Sequence, residues 1–128
     1  MYQSLDLFQT AVAMARHAGT RQAVVARNIA NANTPGYRAQ QIAPFGDVYG
    51  AAPMSQIRQS RPGHLAPDPR LRVTAAPVVG STEASPNGNT VSLEDEMLAS
   101  VAVSRDHNRA LAVYRHGLTI LRTALGRG

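Results

Sequence analysis

The residue types that most often do chemistry are scarce in this chain. None of its 128 residues is a Cys, which excludes disulfides, thiolate nucleophiles, zinc–sulfur sites and iron–sulfur clusters. There is also no Lys, which excludes Schiff-base catalysis and the phosphate-binding loop that depends on a lysine. The chain contains no Gly-x-Ser-x-Gly nucleophile elbow. We therefore do not expect an enzyme, and we predict no catalytic residues.

The four histidines, His17, His64, His107 and His116, do not form a metal-binding pattern. Two ligands on one helix need a spacing of three or four residues, and a separation of nine places His107 and His116 on opposite faces. His17 and His64 have no acidic neighbours in the sequence that could complete a coordination shell. We predict no metal site and no cofactor, and we interpret the histidines as surface or interface residues.

Three consecutive acids, Glu94 to Glu96, form the main carboxylate cluster. They directly follow Ser92 and Leu93, and Ser92 has the residue type of a helix N-cap. Asp95 then occupies the capping-box position, and acids in a first turn are stabilised by the helix dipole. We interpret the cluster as a helix start rather than as a pair of catalytic carboxylates.

The net charge of +5 raises the possibility of a nucleic-acid partner, but the charge is spread along the chain. Residues 1–33 contribute +2, residues 34–86 contribute +2 and residues 87–128 contribute +1. Nucleic-acid binders usually concentrate Arg and Lys on one face and stack bases on aromatic rings, which are only 5% of this chain. We predict no nucleic-acid partner and no small-molecule substrate.

Proline divides the chain into three parts. All eight prolines lie between Pro35 and Pro86. Because proline removes an amide donor and clashes with the preceding helical turn, long helices are expected only outside that range. We predict a helical segment at 1–33, a Pro- and Gly-rich middle segment at 34–89 and a second helical segment at 90–128. Within the middle segment, only residues 73–79 have a faint strand-like pattern.

The fold class predicted from this division is mainly α, with long N- and C-terminal helices that pair as an antiparallel coiled coil. The long middle segment is expected to be extended or disordered. The hydrophobic share is 44%, but 21 of these residues are Ala, so the core of a single chain is thin. Such helices are expected to gain burial against other copies. No run of residues reaches the length of a membrane span, and the N-terminus lacks a signal-peptide pattern.

The first helix is expected at about 4–33, with Ser4 as its N-cap and Asp6 in its first turn. Apolar residues recur at spacings of three and four, which is typical of a coiled-coil seam. The predicted seam consists of Leu5, Phe8, Val12, Ala15, Gly19, Ala26 and Ile29. Its middle residues are small, which permits a close approach between helices.

The last helix is expected at about 92–125, after the N-cap Ser92. It carries a second apolar stripe, which Ser104 and His107 interrupt. The predicted stripe consists of Met97, Val101, Leu111, Tyr114, Leu118, Leu121 and Leu125. We expect these two apolar lines to carry packing both within and between subunits.

A dense motif follows the first helix: Asn28, Ile29, Ala30, Asn31, Ala32, Asn33, Thr34, Pro35, Gly36 and Tyr37. Thr34 is pushed out of the helical region by the proline that follows it. Pro35 and Gly36 suit the two central positions of a type II turn, in which glycine takes a positive φ. A simple helix stop does not require three Asn residues, whose amides can bond neighbouring backbone or a second chain.

This decapeptide resembles the signature of the flagellar axial family, which comprises rod and hook proteins. Every position matches, although Asn33 stands where Asp is more common. Within the family, the chain length and two short elements, at 61–65 and 87–97, are similar to those of a proximal rod subunit. The resemblance covers both helices well and the middle segment thinly.

The resemblance implies a structural subunit of the proximal rod of the bacterial flagellar basal body, which assembles by helix packing and transmits torque. Implied partners are other copies of the chain, other rod proteins, and basal-body ring and export components. The implied location is the periplasmic rod, reached through the flagellar type III apparatus without cleavage of a signal peptide. Phe8 and Val12 resemble the element by which such subunits engage the export gate.

Three alternatives stay open on the sequence alone. The chain could be a different proximal rod subunit of the same axial family. A coiled-coil adaptor or export chaperone would form a folded, soluble dimer, and a nucleic-acid-binding helical hairpin would bind DNA in a salt-dependent manner. The rod interpretation instead predicts a largely unfolded or aggregation-prone monomer that orders only on assembly.

Overall fold

Two long helices dominate the computed structural model, which describes residues 2–49, 76–80 and 82–126. Helix α1 (Tyr2–Ala30) and helix α3 (Leu93–Ala124) pack against each other. They run antiparallel, because Phe8 meets Tyr114 near one end of the pair and Asn28 meets Glu96 near the other. The predicted mainly α fold with two long, packed terminal helices is confirmed.

Only one of the two long helices, α3, begins at the N-cap that the sequence predicts. Ser92 is the N-cap of α3, and its hydroxyl oxygen accepts a hydrogen bond of 3.4 Å from the amide of Asp95. This prediction is confirmed. The prediction that Ser4 caps α1 is wrong, because the helix already begins at Tyr2 and has no acid in its first turn. At their other ends, both helices stop close to the predicted positions.

The contact line between α1 and α3 consists of small residues spaced seven apart. Its members are buried: Ala11, Ala18 and Val25 on α1, and Val103, Ala110 and Gly117 on α3. A seven-residue spacing keeps one stripe facing the partner helix. At Gly117 the approach is so close that an added Cβ would lie 3.0 Å from Cζ of Phe8.

The predicted seam does not coincide with this contact line. On α1, Gly19 and Ala26 are exposed, and the other described seam residues, Phe8, Val12, Ala15 and Ile29, are half-buried. On α3, Met97 and Val101 are 60% and 58% exposed, Tyr114, Leu121 and Leu125 are also exposed, and Leu111 and Leu118 are half-buried. The side chain of Leu5 lies outside the described residues. Large apolar residues dominate a periodicity pattern, whereas the closest helix packing here uses Ala and Gly.

The predicted residues instead lie mostly on one side of the helix pair, which we call the open flank. They follow the contact residues by one helical step: Val12 follows Ala11, and Leu111 follows Ala110. In an antiparallel pair, one such step turns both helices toward the same side. Two contacts across the helices mark this side, namely Phe8 with Tyr114 and Gln22 with Ser100.

The opposite side of α1, which we call the covered flank, carries the described start of the middle segment. Strand β1 (Gln40–Gln41) and the short helix α2 (Phe45–Val48) pack on α1 there. Strand β2 (Val78–Val79) pairs antiparallel with β1, with Gln40 opposite Val79. The faint strand-like pattern is thus confirmed at Val78–Val79. Residues 73–75 of that run and the element at 61–65 lie outside the described residues.

Candidate assembly site

The motif at 28–37 forms the turn that its sequence predicts. The amide of Tyr37 donates to the carbonyl of Thr34 at 3.3 Å, which closes a four-residue turn around Pro35 and Gly36. Gly36 has a φ of +71°, the left-handed region that glycine adopts without steric cost. Asn31 donates from Nδ2 to the carbonyl of Arg27 at 2.8 Å, which satisfies one of the last carbonyls of α1.

Asn28 is the centre of the site. Its side chain is almost fully buried, and it joins three elements. From Nδ2 it donates to Oε1 of Glu96 on α3 at 2.8 Å and to the carbonyl of Gln40 in β1 at 2.7 Å. Its Oδ1 accepts from the amide of Gln40 at 3.1 Å and from the hydroxyl of Tyr37 at 3.2 Å. The amide thereby uses its full capacity of two donated and two accepted bonds.

Glu96 has a second role that the sequence interpretation missed. Although it lies in the acidic first turn of α3, its side chain is buried against Asn28 instead of facing solvent. Burial raises the pKa of the Glu96 carboxyl, the Asn28 hydrogen bond opposes that rise, and the neighbouring Asp95 charge adds to it. The sequence held a signal for this position, because Glu96 stands seven residues before Val103 on the contact line.

Asn89, which lies shortly before α3 in the chain, contacts the backbone that follows the end of α1. Its Nδ2 lies within 2.8 to 2.9 Å of the carbonyls of Asn31, Ala32 and Thr34. Its Oδ1 accepts from the amide of Val91 at 2.7 Å, which orients the side chain. Asn89 thereby provides hydrogen bonds to the backbone that follows α1, a role that the Asn-rich motif alone was expected to have. Sequence reasoning missed it, since it is separated from these carbonyls by more than fifty residues.

Backbone contacts complete the junction between the two chain segments. The amide of Thr90 donates to the carbonyl of Tyr37 at 3.1 Å, and the amide of Ala39 donates to the Thr90 hydroxyl at 2.8 Å. Two glycines with positive φ, Gly36 and Gly88, cross so closely that a Cβ on Gly88 would lie 3.4 Å from Cα of Gly36. We call this set of contacts, centred on Asn28, Glu96 and Asn89, the helix junction.

The remaining motif residues contribute less to the junction. Asn33 and Pro35 are exposed, and the side chain of Asn33 makes no hydrogen bond within the described part of the chain. Ile29 is half-buried and lies on the open flank. The motif is thus divided between residues that form the junction and residues that face outward.

Phe8, a predicted export-gate residue, is engaged in the folded helix pair. Its ring packs edge-on against Tyr114, with 5.2 Å between the centroids, and lies over Gly117. Val12 is half-buried one turn further along α1. In the folded chain, the first of these two residues is therefore already in contact with α3.

The open flank extends along both helices and is uncharged. Its members are Val12, Ala15, Gly19, Gln22, Ala26 and Ile29 on α1, and Met97, Ser100, Ser104, His107, Leu111, Tyr114, Leu118 and Leu121 on α3. None of them is fully buried, and the set contains no Arg, Asp or Glu. Charged residues of the helices point elsewhere, as Arg21 does when it pairs with Asp106 at 3.4 Å on the covered flank.

The site has the properties of a structural junction. No three His, Asp or Glu side chains in residues 2–49, 76–80 and 82–126 are grouped so that they could hold a metal ion. Over the same residues, neither long helix has an apolar stretch sufficient to cross a membrane. The geometry can hold the end of one helix against the start of another, and it can direct the chain that leaves them.

Comparison with known proteins agrees with this geometry. A family model described as "Flagella basal body rod protein" matches residues 8–38, which contain most of α1 and the turn of the junction. The chain is also similar to the flagellar basal body rod protein FlgB of Agrobacterium fabrum (strain C58 / ATCC 33970). The two are 33% identical over 126 residues, an alignment that covers 93% of each chain.

Proposed function

The chain belongs to the flagellar basal body rod protein family and is a structural subunit of the rod; we propose that it assembles with neighbouring rod subunits through the open flank. The observation that carries this proposal is a partly apolar surface without Arg, Asp or Glu, which extends along both helices and is left uncovered by the rest of the described residues. Surfaces of this kind on soluble proteins mark contacts with other proteins.

The side chains of the open flank suit helix packing. On α1 they include the small residues Ala15, Gly19 and Ala26, beside which another helix can approach closely. On α3 they include the large apolar residues Met97 and Leu121, which are exposed. Large side chains that insert between small ones on a facing helix give dense, rigid packing, and rigidity is what transmission of torque requires. A contact of this kind that is repeated without closing produces a helical filament.

The helix junction has a different role in this proposal. Asn28, Asn31, Pro35, Gly36 and Tyr37 fix the exit of the chain from α1. The junction thereby directs the described start of the middle segment onto the covered flank of α1, where β1 and α2 pack. It also sets the register of α1 against α3, because Asn28 and Glu96 can meet in only one alignment of the two helices.

The family indicates a location in the flagellar basal body rod, and the proposal adds a finer location and an export route. We propose that the subunit lies in the proximal part of the rod, in the periplasmic space, and that it is exported without signal-peptide cleavage. Phe8 and Val12 would contact the export gate before α1 and α3 pack, because Phe8 is held against Tyr114 afterwards. A Phe8→Ala variant is then expected to reduce the amount of secreted subunit, whereas wild-type secretion would contradict this step.

Ser104 provides a direct test of the open flank. It is exposed and lies between Met97 and Leu111 on that surface, so Ser104→Arg introduces a charge without entering the contact line. We expect this variant to keep the helix content of the wild-type chain and to fail to complement motility. The matched control is Asn108→Arg, which adds the same charge at an exposed site on the outer face of α3. Normal rods containing the Ser104→Arg variant would contradict assembly through the open flank.

The alternative of a different rod subunit makes a separate prediction. If the chain were a sister subunit, expression of this gene should restore motility to a strain that lacks the sister and not to one that lacks the relative named above. The opposite pattern is expected here, because the identity to that relative extends over nearly the whole chain.

A further inference from the structure

His17 is a buried histidine that the rod function does not use. Its side chain is only 3% exposed, and it lies on the covered flank of α1. Its Nε2 is buried and has no hydrogen-bond partner among the described residues. A buried polar atom without a partner destabilises the folded chain, and the neutral form of the ring keeps that destabilisation small.

A short stretch of chain, residues 43–49, covers His17 and contains α2. Phe45 packs edge-on against the imidazole, with 5.6 Å between the ring centroids. Tyr49 stacks on Phe45 at 4.9 Å, and its hydroxyl lies 2.8 Å from the hydroxyl of Thr10 on α1. Residues 43–49 are therefore held to α1 by aromatic contacts around a titratable ring and by one hydroxyl pair.

We propose that residues 43–49 form a latch on α1 that opens when His17 takes up a proton. A proton on Nε2 gives the ring a positive charge and a second N–H donor, in a place that offers this donor no acceptor. When residues 43–49 move off α1, the protonated Nε2–H can donate a hydrogen bond to water. Opening releases Phe45 and Tyr49 from α1 but leaves the contact line between α1 and α3 intact.

The charged groups around His17 do not cancel this effect. Burial lowers the pKa of His17, and the positive charge of Arg21 on the same helix lowers it further. Asp106 on α3 and the Ala43 backbone act in the opposite direction, but Asp106 is already paired with Arg21 at 3.4 Å. Asp47, the one ionisable side chain of α2, is exposed. Burial and Arg21 together therefore favour the neutral form of the ring while the latch is closed.

The latch lies in the described start of the middle segment, shortly after β1. Its opening would free residues 43–49 from α1. This device is independent of the rod assignment, because it depends on contacts within a single chain. An acidic environment would loosen residues 43–49 without separating the two helices.

Hydrogen exchange of the full-length chain, followed by mass spectrometry, tests the latch. The reporters are the amides of Asp47 and Tyr49, which donate to the carbonyls of Pro44 at 3.1 Å and Phe45 at 2.8 Å. After correction for the intrinsic pH dependence of exchange, we expect their opening constant to rise as the pH falls below 6.5, the ordinary pKa of histidine, because the open form binds the proton more readily than the closed form. Peptides from α3 should keep their protection between pH 7.5 and pH 5.5.

Two substitutions that cannot titrate and one control complete the experiment. His17→Phe and His17→Gln should each remove the pH dependence of the two reporter amides. His107→Gln, at an exposed histidine of α3, should behave like the wild type. The proposal is overturned if wild-type protection is the same at both pH values, if the His17 variants lose protection in parallel with it, or if the reporters are already unprotected at pH 7.5.

Discussion

Asn28 and Glu96, which are 68 residues apart in the chain, meet in a buried hydrogen bond of 2.8 Å from Nδ2 to Oε1. This bond joins the last turn of α1 to the first turn of α3. The turn motif that follows α1 and the capping segment that starts α3 are joined at this bond. The stability of the helix pair therefore depends on two polar residues in addition to its apolar contact line.

Replacement of Asn28 is expected to be the most damaging single change in the junction. Asn28→Ala removes four hydrogen bonds and leaves the Glu96 carboxylate buried without its donor. We expect the free energy of unfolding to fall by roughly 2–4 kcal/mol, since an unsatisfied buried partner adds to the lost bonds. Urea denaturation of the full-length chain measures the loss. Asn33→Ala, at an exposed residue of the same motif, should change stability by less than about 0.5 kcal/mol.

The pH dependence contributed by Glu96 has a defined sign. Because its pKa is raised in the folded chain, the folded state binds more protons than the unfolded state between the ordinary value of 4.5 and the raised one. The stability contributed by Glu96 should therefore fall as the pH rises through this interval. Glu96→Gln keeps an oxygen that can accept from Asn28 and removes the buried charge.

Denaturation at a series of pH values between 4.5 and 8 tests this sign. We expect the Glu96→Gln variant to lack the fall in stability that Glu96 causes as the pH rises. We also expect it to be at least as stable as the wild type at pH 7. His17 contributes the opposite slope, because its lowered pKa destabilises the fold as the pH falls below about 6.5. The His17 contribution to the pH dependence of the free energy of unfolding is the same in the wild type and in Glu96→Gln, so it cancels when the two are compared. Identical slopes in the two proteins would show that Glu96 does not titrate as described.

The contact line makes a prediction at its tightest point. Gly117→Ala places a methyl group 3.0 Å from Cζ of Phe8 and 3.4 Å from Cδ2 of Leu7, so the Phe8 ring must move. We expect a net destabilisation of about 1–3 kcal/mol from this overpacking, despite the better helix propensity of Ala. Gly19→Ala is the matched control, because nothing lies within 4 Å of the added group, and it should stabilise the chain by up to about 1 kcal/mol. Equal effects at the two glycines would contradict the close approach at Gly117.

The positions of the helices and the turn could be predicted from the sequence better than the residues through which α1 and α3 pack against each other. Ser92, the turn at Gly36 and the absence of proline from both ends were sufficient to place the helices and the turn, because each depends on local chemistry. The contact line could not be predicted in the same way. Ala11, Ala18 and Ala110 carry little hydrophobic signal, although they pack most closely.

The candidate site was predicted in part for a similar reason. The Asn28–Tyr37 motif identified one half of the junction, and the resemblance gave it a function. The other half, Glu96 and Asn89, comes from a distant segment, and single residues at that separation leave no periodic trace. The buried role of Glu96 was also hard to predict because it is one of three acids after an N-cap. The helix dipole already explains acids at these positions.

Gly36 tests whether the geometry of the turn matters to the rod. Its φ of +71° is unfavourable for any β-branched residue, so Gly36→Val is expected to destabilise the turn by about 1–2 kcal/mol. Displacement of Gly36 would also break the hydrogen bond of 3.0 Å from its amide to the carbonyl of Asn87 and crowd Gly88. Because α1 and α3 keep their contact line, the helix content should stay close to that of the wild type while the exit of the middle segment changes. We therefore expect reduced motility with near-normal circular dichroism.

The matched control is Gly46→Val, at an exposed glycine with no atom within 4 Å of an added Cβ, and it should leave motility intact. Full motility of the Gly36→Val variant would show that the rod tolerates a distorted turn.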